Sequence, residues 1–186
     1  DDHIDTFLTA IGKPGLHTLV RILRSGETRM AQAELCSEIQ FVRKNPGYAK
    51  FALELELPDP FFYGTENTAD VRMVSTSPHI WTHTNDGSAP TTDMVITLEG
   101  PLSNPVLRNR NNNVWIQYVG TIPDGKSVVL DTKHFTCQQD EDNMISIVKH
   151  GGDAYWMILD AADNSMELET DVNGGKISLS YYPAFF

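Results

Sequence analysis

Hydrophobic and polar residues alternate along much of this chain, a period of two that is typical of strands buried on one face. The clearest case is residues 49–57, where Phe51, Leu53, Leu55 and Leu57 point one way and mostly charged residues the other. Shorter candidate strands follow at 71–74, 95–98, 114–119, 128–130, 135–137, 144–148, 155–159, 166–168 and 177–181.

Turn residues separate these candidate strands at short spacing, with Asp-Gly, Gly-Gly and Asn-Gly-Gly sequences at 86–87, 124–125, 151–152 and 173–175. Residues 109–113 are polar and predict a loop or a strand edge. Many short strands between such turns favour an antiparallel β-sandwich or barrel. The fold class we predict is therefore mainly β.

One segment has a helical period instead. Ile4, Phe7, Leu8 and Ile11 fall on one stripe, and the residues Gly-Lys-Pro at 12–14 stop it, which predicts a short helix before the strands. A second break comes at residues 58–64, Pro-Asp-Pro-Phe-Phe-Tyr-Gly, because proline cannot donate to the ladder of a central strand.

Composition narrows the functional classes. The 186 residues carry a net charge of −11, which argues against a nucleic-acid partner because phosphate binding needs clustered Lys and Arg. No apolar run is long enough for a membrane helix, so we expect no membrane partner. Residues 1–64 hold 7 basic and 9 acidic residues, whereas residues 65–186 hold 7 and 16, a weak sign of a boundary near residue 64.

Residues that could carry chemistry are sparse. Cys36 and Cys137 form no Cys-x-x-Cys pair, and we expect two small buried residues rather than a disulfide. His79 and His83 lie four apart in a predicted strand, too far for one metal ion, and we expect them at a surface or edge. The common hydrolase, zinc-protease, phosphate-loop and dinucleotide motifs are missing. We therefore assign no catalytic, cofactor or metal residue.

Three tryptophans raise the question of sugar stacking. Trp156 lies in an apolar run and predicts core packing. Trp115 alternates in phase with Gln117 and is expected to be half exposed. Trp115 and Trp81 are therefore the candidate glycan contacts, with core packing as the competing interpretation.

Several segments, taken in order, resemble the distal tail protein family of long-tailed phages (siphophages). The strand at 51–57 and its Asp-Pro-aromatic-Tyr-Gly connector at 58–64 resemble the end of that family's first domain. Residues 99–109, with Gly-Pro-Leu-Ser-Asn-Pro, and the hairpin at 118–132 resemble later motifs. Residues 151–159 and the terminal 177–186 resemble the closing strands. The chain departs from the family at 160–164, where Asp-Ala-Ala-Asp replaces a Pro-Gly turn.

The resemblance implies a two-part structural protein and no enzyme. Residues 1–62 would be the remainder of an N-terminal ring-forming (belt) domain that begins further upstream, and residues 63–186 a galectin-like, jelly-roll-like β-sandwich. The full-length protein would be a homo-hexamer made in the bacterial cytoplasm. It would lie at the virion tail tip of a phage or prophage as a hub, linking the tail tube to baseplate or receptor-binding proteins.

Two other functions stay open from the sequence. A carbohydrate-binding module that contacts host cell-wall glycans would show an exposed tryptophan beside polar side chains. A glycosidase or depolymerase would show two carboxylates facing each other across one pocket.

Overall fold

The computed structural model describes Thr9 and residues 13–45, 48–152 and 155–186. The chain divides into two compact units, Asp1–Thr65 with Phe186, and Glu66–Phe185. The helix predicted over residues 4–11 lies outside the described residues except for Thr9, which is helical.

The first unit is built from short antiparallel strands. Strand β2 pairs with β1 over its whole length, from His17 opposite Ala33 to Ile22 opposite Thr28, and also pairs with β5 and β6, while β3 pairs with β4. The strands are β1 (His17–Ile22), β2 (Thr28–Leu35), β3 (Gln40–Asn45), β4 (Tyr48–Ala52), β5 (Leu55–Glu56) and β6 (Phe62–Gly64).

The alternating segment at 49–57 is not the single strand that its pattern predicts. Its first part, β4, pairs with β3, whereas β5 pairs with β2, so the chain changes partner between Ala52 and Leu55. Leu55 is half-buried, but Phe51 is 54% exposed. The alternation therefore predicted the strand type correctly but not the break.

Within its described residues, the second unit has fourteen strands and a 3₁₀ turn. The strands are β7 (Thr68–Met73), β8 (His79–Asn85), β9 (Met94–Glu99), β10 (Leu102–Ser103), β11 (Val106–Asn109), β12 (Trp115–Tyr118), β13 (Thr121–Ile122), β14 (Ser127–Asp131), β15 (Thr136–Gln139), β16 (Asp142–Asn143), β17 (Val148–Gly151), β18 (Ala162–Glu169), β19 (Lys176–Tyr181) and β20 (Ala184–Phe185). The 3₁₀ turn is Ile145–Ile147.

Two antiparallel sheets form the body of this unit. One has the order β17-β12-β11-β18-β8 and the other β16-β15-β14-β9-β19-β7. Inward residues of both sheets share one hydrophobic cluster, for example Ile116 and Leu168 from the first and Ile96 and Leu179 from the second. A shared core between two sheets is the arrangement of a sandwich, which confirms the predicted mainly β, antiparallel β-sandwich fold.

Two predicted strands are wrong. Residues 155–159 are buried at Trp156, Met157 and Leu159 but run as a loop, with one isolated β-bridge between Leu159 and Thr91 and side-chain hydrogen bonds to the carbonyl of Ile158. An apolar run can be buried without pairing, which periodicity does not reveal. Residues 144–148 form mostly the 3₁₀ turn instead of a strand.

The cysteines also differ from expectation in part. Cys137 is buried as predicted, but Cys36 is exposed, because it follows the end of β2 where the chain turns toward the β3–β4 hairpin. Both are free thiols.

Candidate functional site

The solvent side of the five-stranded sheet carries a mixed set of aromatic and polar side chains. Because successive residues of a strand point to opposite faces, this outer face can be read from the pairing register. One row runs Ile80, Glu167, Arg108, Trp115 and Gly151 across five strands. The next row runs Glu169, Val106, Gln117 and Lys149.

Trp115 is the aromatic side chain of this outer face. It is half-buried, while its neighbours in sequence, Val114 and Ile116, are in the core. Its indole lies over Gly151 of β17, where an added Cβ would come within 2.8 Å of the ring. Glycine at 151 therefore lets the indole approach the backbone of β17 closely. The half-buried state of Trp115 agrees with the expectation from its phase with Gln117.

Charge on this face is concentrated at Glu167. Its carboxylate lies 4.0 Å from Nε of Arg108 and 3.5 Å from Nε of Arg110, and its side chain is mostly buried. Arg108 is directly opposite Trp115 in the register. The row beside the tryptophan therefore holds a carboxylate with two cationic neighbours.

A pocket of about 450 Å³ opens beside the second row. Val106 and Pro78 contribute apolar surface, and Gln117, Glu169, Asp171 and Asn104 contribute polar groups. No basic side chain lines it within the part of the chain that the structure describes. In the register, Gln117 and Glu169 flank Val106 on its two sides.

Part of the pocket wall is fixed by its own hydrogen bonds. Thr170 Oγ1 lies 2.8 Å from the backbone carbonyl oxygen of Ser103 and 2.7 Å from that of Val172, so its single proton is donated to one of them, and the Thr170 amide donates to Ser77 Oγ. Asn104 Nδ2 donates to Asp171 Oδ2 at 2.7 Å, and Asn104 Oδ1 accepts from the Gly120 amide. These residues hold the pocket's shape.

Gln117 and Glu169 differ from that wall. Among the described residues, no hydrogen bond or ion pair involves either side chain. Both are therefore available to a ligand. Sequence reasoning singled out Gln117 through its phase with Trp115, and Glu169 and Asp171 only as part of an acidic stretch. It did not predict that these residues and Asn104 line one pocket, because long-range strand pairing brings them together.

Trp81, the other candidate glycan contact, is 9% exposed and belongs to the core cluster. Its indole Nε1 donates to Asp70 Oδ2 at 3.1 Å. No open ring face is left for stacking, so a glycan proposal must rest on Trp115.

The histidine predicted at a surface or edge is also buried. His83 is 4% exposed, with Nδ1 2.9 Å from Asp70 Oδ2 and Nε2 2.7 Å from the Tyr181 hydroxyl. A carboxylate only accepts, so Nδ1 donates to Asp70. His79 is half-buried on the same strand, with its ring against that of Trp81.

Tyr181 completes this buried chain of polar groups. Burial raises the pKa of its phenol far above the usual value, and the carboxylates of Asp86 and Asp70 raise it further. The chain of Asp70, His83 and Tyr181 thus satisfies polar atoms inside the core. It does not face the pocket lining and is a structural feature.

Among the described residues we find neither a metal-binding cluster nor a carboxylate pair arranged for hydrolysis. No group of three or more His, Cys, Asp or Glu side chains suited to a metal occurs among the described residues. Glu169 and Asp171 share the pocket, but they lie two residues apart on one segment and both are exposed. The acid of a glycosidase is typically a carboxyl group buried against apolar side chains.

Within the described ranges, the structure contains no helix with the length and apolar character needed to cross a bilayer.

Comparison with known proteins finds a solved structure with a similar fold but no match to a family model or to a curated sequence. No protein-family model matches the chain, and no curated protein matches it in sequence. The crystal structure of the Dit (gp 19.1) protein of phage SPP1, described as a paradigm of the hub adsorption apparatus in phages that infect Gram-positive bacteria, is similar to this chain with a TM-score of 0.63. The likeness covers 97% of this chain and 70% of that protein at 11% identity, so this chain shares its fold with a phage tail hub protein.

Proposed function

We propose that this chain is a structural component of a phage or prophage tail tip, a distal-tail hub that links the tail tube to baseplate or receptor-binding proteins. The observation that carries the proposal is the fold likeness to SPP1 Dit along nearly the whole chain. The order of the sequence motifs described above supports it independently. In this proposal the protein is no enzyme and is part of the virion tail.

The two parts have separate roles in this proposal. Residues 1–62 belong to the ring-forming belt domain, and residues 63–186 form the galectin-like sandwich. We expect the protein to assemble as a homo-hexamer. Exposed apolar residues on β1, Val20 at 51% and Ile22 at 72% exposure, support an assembly role for the first part, since an edge strand with such residues is a pairing surface.

The test is to find the protein in a particle. Antibodies against the sandwich, used in immunogold electron microscopy of phage particles from a strain carrying the gene, are expected to label the distal end of the tail. Label on the capsid or along the whole tube would contradict the proposal. Deleting the gene is expected to give particles that do not adsorb or tails that do not assemble.

The oligomeric state has its own test. Native mass spectrometry of the protein is expected to show six copies. The double variant Val20→Glu with Ile22→Glu is expected to prevent assembly, while a matched pair on the other unit, Val71→Glu with Met73→Glu, leaves it intact. Those control residues are similarly exposed, at 56% and 63%.

Contact with cell-wall glycans is a second candidate function, and one observation favours it. Trp115 is half-buried on the outer face, opposite Arg108 and two residues from Gln117. Aromatic rings with polar neighbours suit a ligand that has both an apolar face and hydroxyl groups. Binding of the intact protein to purified host cell walls, weakened by Trp115→Ala, is the expected result.

A further inference from the structure

We propose that the pocket beside Val106 binds an amino sugar, a hexose unit that carries a protonated amine. This proposal rests on the glycan contact proposed above. It specifies which class of sugar is bound and which pocket binds it. The argument depends on the pocket's floor, on the two free side chains that flank it, and on its charge.

The floor offers a small apolar surface to one side of a sugar ring. Val106 and Pro78 line the pocket, and Val106 is half-buried between two strands. Sugar-sized ligands bind in concave sites with apolar surface and a few well-placed polar groups. The pocket, at about 450 Å³, has room for such a ring.

Two free polar side chains stand on opposite sides of that floor. Gln117 on β12 and Glu169 on β18 are both direct register neighbours of Val106 on β11. Adjacent strands lie about 4.8 Å apart, so the two backbones are separated by roughly 10 Å with the floor between them. A ring lying on Val106 therefore has a hydrogen-bonding group at each edge.

The charge of the pocket selects a cation. Glu169 and Asp171 both line it, and no lysine or arginine does among the described residues; Lys149 lies one strand further out, opposite Gln117 in the register. Asp171 is met by the neutral amide of Asn104, which leaves its charge uncompensated. A protonated amine is thus favoured over an uncharged hydroxyl, and uronic acids or phosphate-bearing sugars are disfavoured.

The wall that surrounds these groups is already fixed. Thr170 Oγ1 accepts a hydrogen bond from the Ser103 amide, and Ser77 Oγ accepts one from the Thr170 amide. Asn104 Oδ1 accepts one from the Gly120 amide. A preformed site loses little conformational entropy on binding. The wall of the pocket is therefore organised before a ligand arrives, whereas Gln117 and Glu169 are not held by hydrogen bonds in the described structure.

The experiment is calorimetric titration of the protein with three matched oligosaccharide series: glucosamine, N-acetylglucosamine and galacturonic acid oligomers. The amino series is expected to bind at least about tenfold more tightly than the N-acetylated one, and the acidic series not to bind. High salt is expected to weaken the amino series selectively, because a charge pair at an exposed site is screened.

Two variants and their controls locate the site. Glu169→Gln keeps the shape and removes the charge, so it is expected to reduce binding of the amino series about tenfold or more while leaving any weak binding of the N-acetylated series unchanged. Gln117→Ala is expected to weaken both series. Glu141→Gln and Gln138→Ala, at exposed positions outside the pocket lining, are the matched controls and should bind as wild type.

The outcomes distinguish failure of the amino-sugar assignment from failure of the proposed glycan contact on which it rests. Equal binding of amino and N-acetylated sugars, or amino-sugar binding unaffected by Glu169→Gln, overturns this inference. If that sugar binding is nevertheless lost in Trp115→Ala, the proposed glycan contact still stands. No binding of any series and none to cell walls overturns both. A lysine-rich peptide that binds as tightly as the glucosamine oligomers, with the same dependence on Glu169, overturns the saccharide assignment.

Discussion

The indole ring of Trp115 lies against the backbone of Gly151 on the paired strand β17, so closely that a methyl group at residue 151 would sit 2.8 Å from the ring atoms Cε2 and Nε1. Gly151 is directly opposite Trp115 in the register. The absence of a side chain at one position thus sets the orientation of the aromatic ring at the other.

Gly151→Ala is expected to push the Trp115 ring off the sheet. Overpacking of this kind costs about 1 to 3 kcal/mol where the neighbour cannot move, and less here because the ring is half exposed. The ring is therefore expected to become more accessible, seen as stronger acrylamide quenching of tryptophan fluorescence. Lys149→Ala on the same strand is the control, and equal quenching in both variants would contradict the proposed contact.

Strand β12 shows how much of the structure can be predicted from the sequence. The alternation of Val114, Trp115, Ile116 and Gln117 predicted correctly which side chains face the core, because a strand's period is local. That Trp115 meets Gly151, 36 positions later, depends on β12 pairing with β17, which no local pattern encodes. The fold class was therefore predictable, and the outer-face rows were not.

The errors have the same physical cause. His83 was expected at a surface or edge, and Trp81 was a candidate glycan contact with core packing as the alternative, but both are buried and both hydrogen-bond to Asp70 of β7. The pocket combines Asn104, Gln117 and Glu169 from separate segments. The hydrogen-bond partner of a buried polar group and the lining of a pocket come from residues that are distant in sequence, so local patterns do not predict them.

Asp70 makes this buried network a test of stability. Asp70→Ala removes the acceptor of both His83 Nδ1 and Trp81 Nε1, and buried donors without a partner are costly. We expect the free energy of unfolding to fall by about 2 to 4 kcal/mol. Urea unfolding followed by fluorescence measures it.

Arg72→Ala is the matched control for that variant. Arg72 also contacts Asp70, at 2.7 Å, but its side chain is 43% exposed. Exposed ion pairs contribute little, so a loss below about 1 kcal/mol is expected. If both variants cost the same, the buried hydrogen bonds are not what Asp70 contributes.

The pair of buried amides Asn109 and Asn164 gives a second stability prediction. Asn164 Oδ1 accepts from Asn109 Nδ2 and from the Asp160 amide, both at 2.8 Å, and both asparagines are fully buried. Asn164→Ala is expected to destabilise the protein by about 2 to 4 kcal/mol, because several buried groups lose their partner. Asn173→Ala, an exposed asparagine with one long hydrogen bond, should be within about 0.5 kcal/mol of wild type.

Asp131 predicts a dependence of stability on acid pH. Partial burial acts to raise the pKa of its carboxyl, but hydrogen bonds from the His134 ring and backbone and from the Lys133 amide outweigh it, so the pKa is lowered. A carboxyl whose folded pKa is depressed adds stability above its unfolded pKa of about 3.9 and loses it as the pH falls through the folded value. The contribution is below about 1 kcal/mol, since the pair is exposed.

Chemical unfolding at a series of pH values checks this. Wild type is expected to exceed Asp131→Asn in stability at pH 6, with the difference shrinking as the pH falls through the lowered pKa of Asp131. Asp142→Asn, at an exposed position of β16, should show no such difference. A gap between wild type and Asp131→Asn that widens on acidification would have the wrong sign for a lowered pKa.

The two free thiols are expected to differ sharply in reactivity. Cys137 is fully buried in the sandwich core, and burial raises its pKa to about 11, whereas Cys36 is exposed. Because the thiolate is the nucleophile, Cys137 is protected both by its surroundings and by its protonation at pH 8. Iodoacetamide on the native protein should therefore add one label, seen by mass spectrometry, and two after unfolding. Cys36→Ser should take none in the native state and Cys137→Ser one; rapid labelling of Cys137 in the folded protein would show that the core around β15 opens more easily than its packing implies.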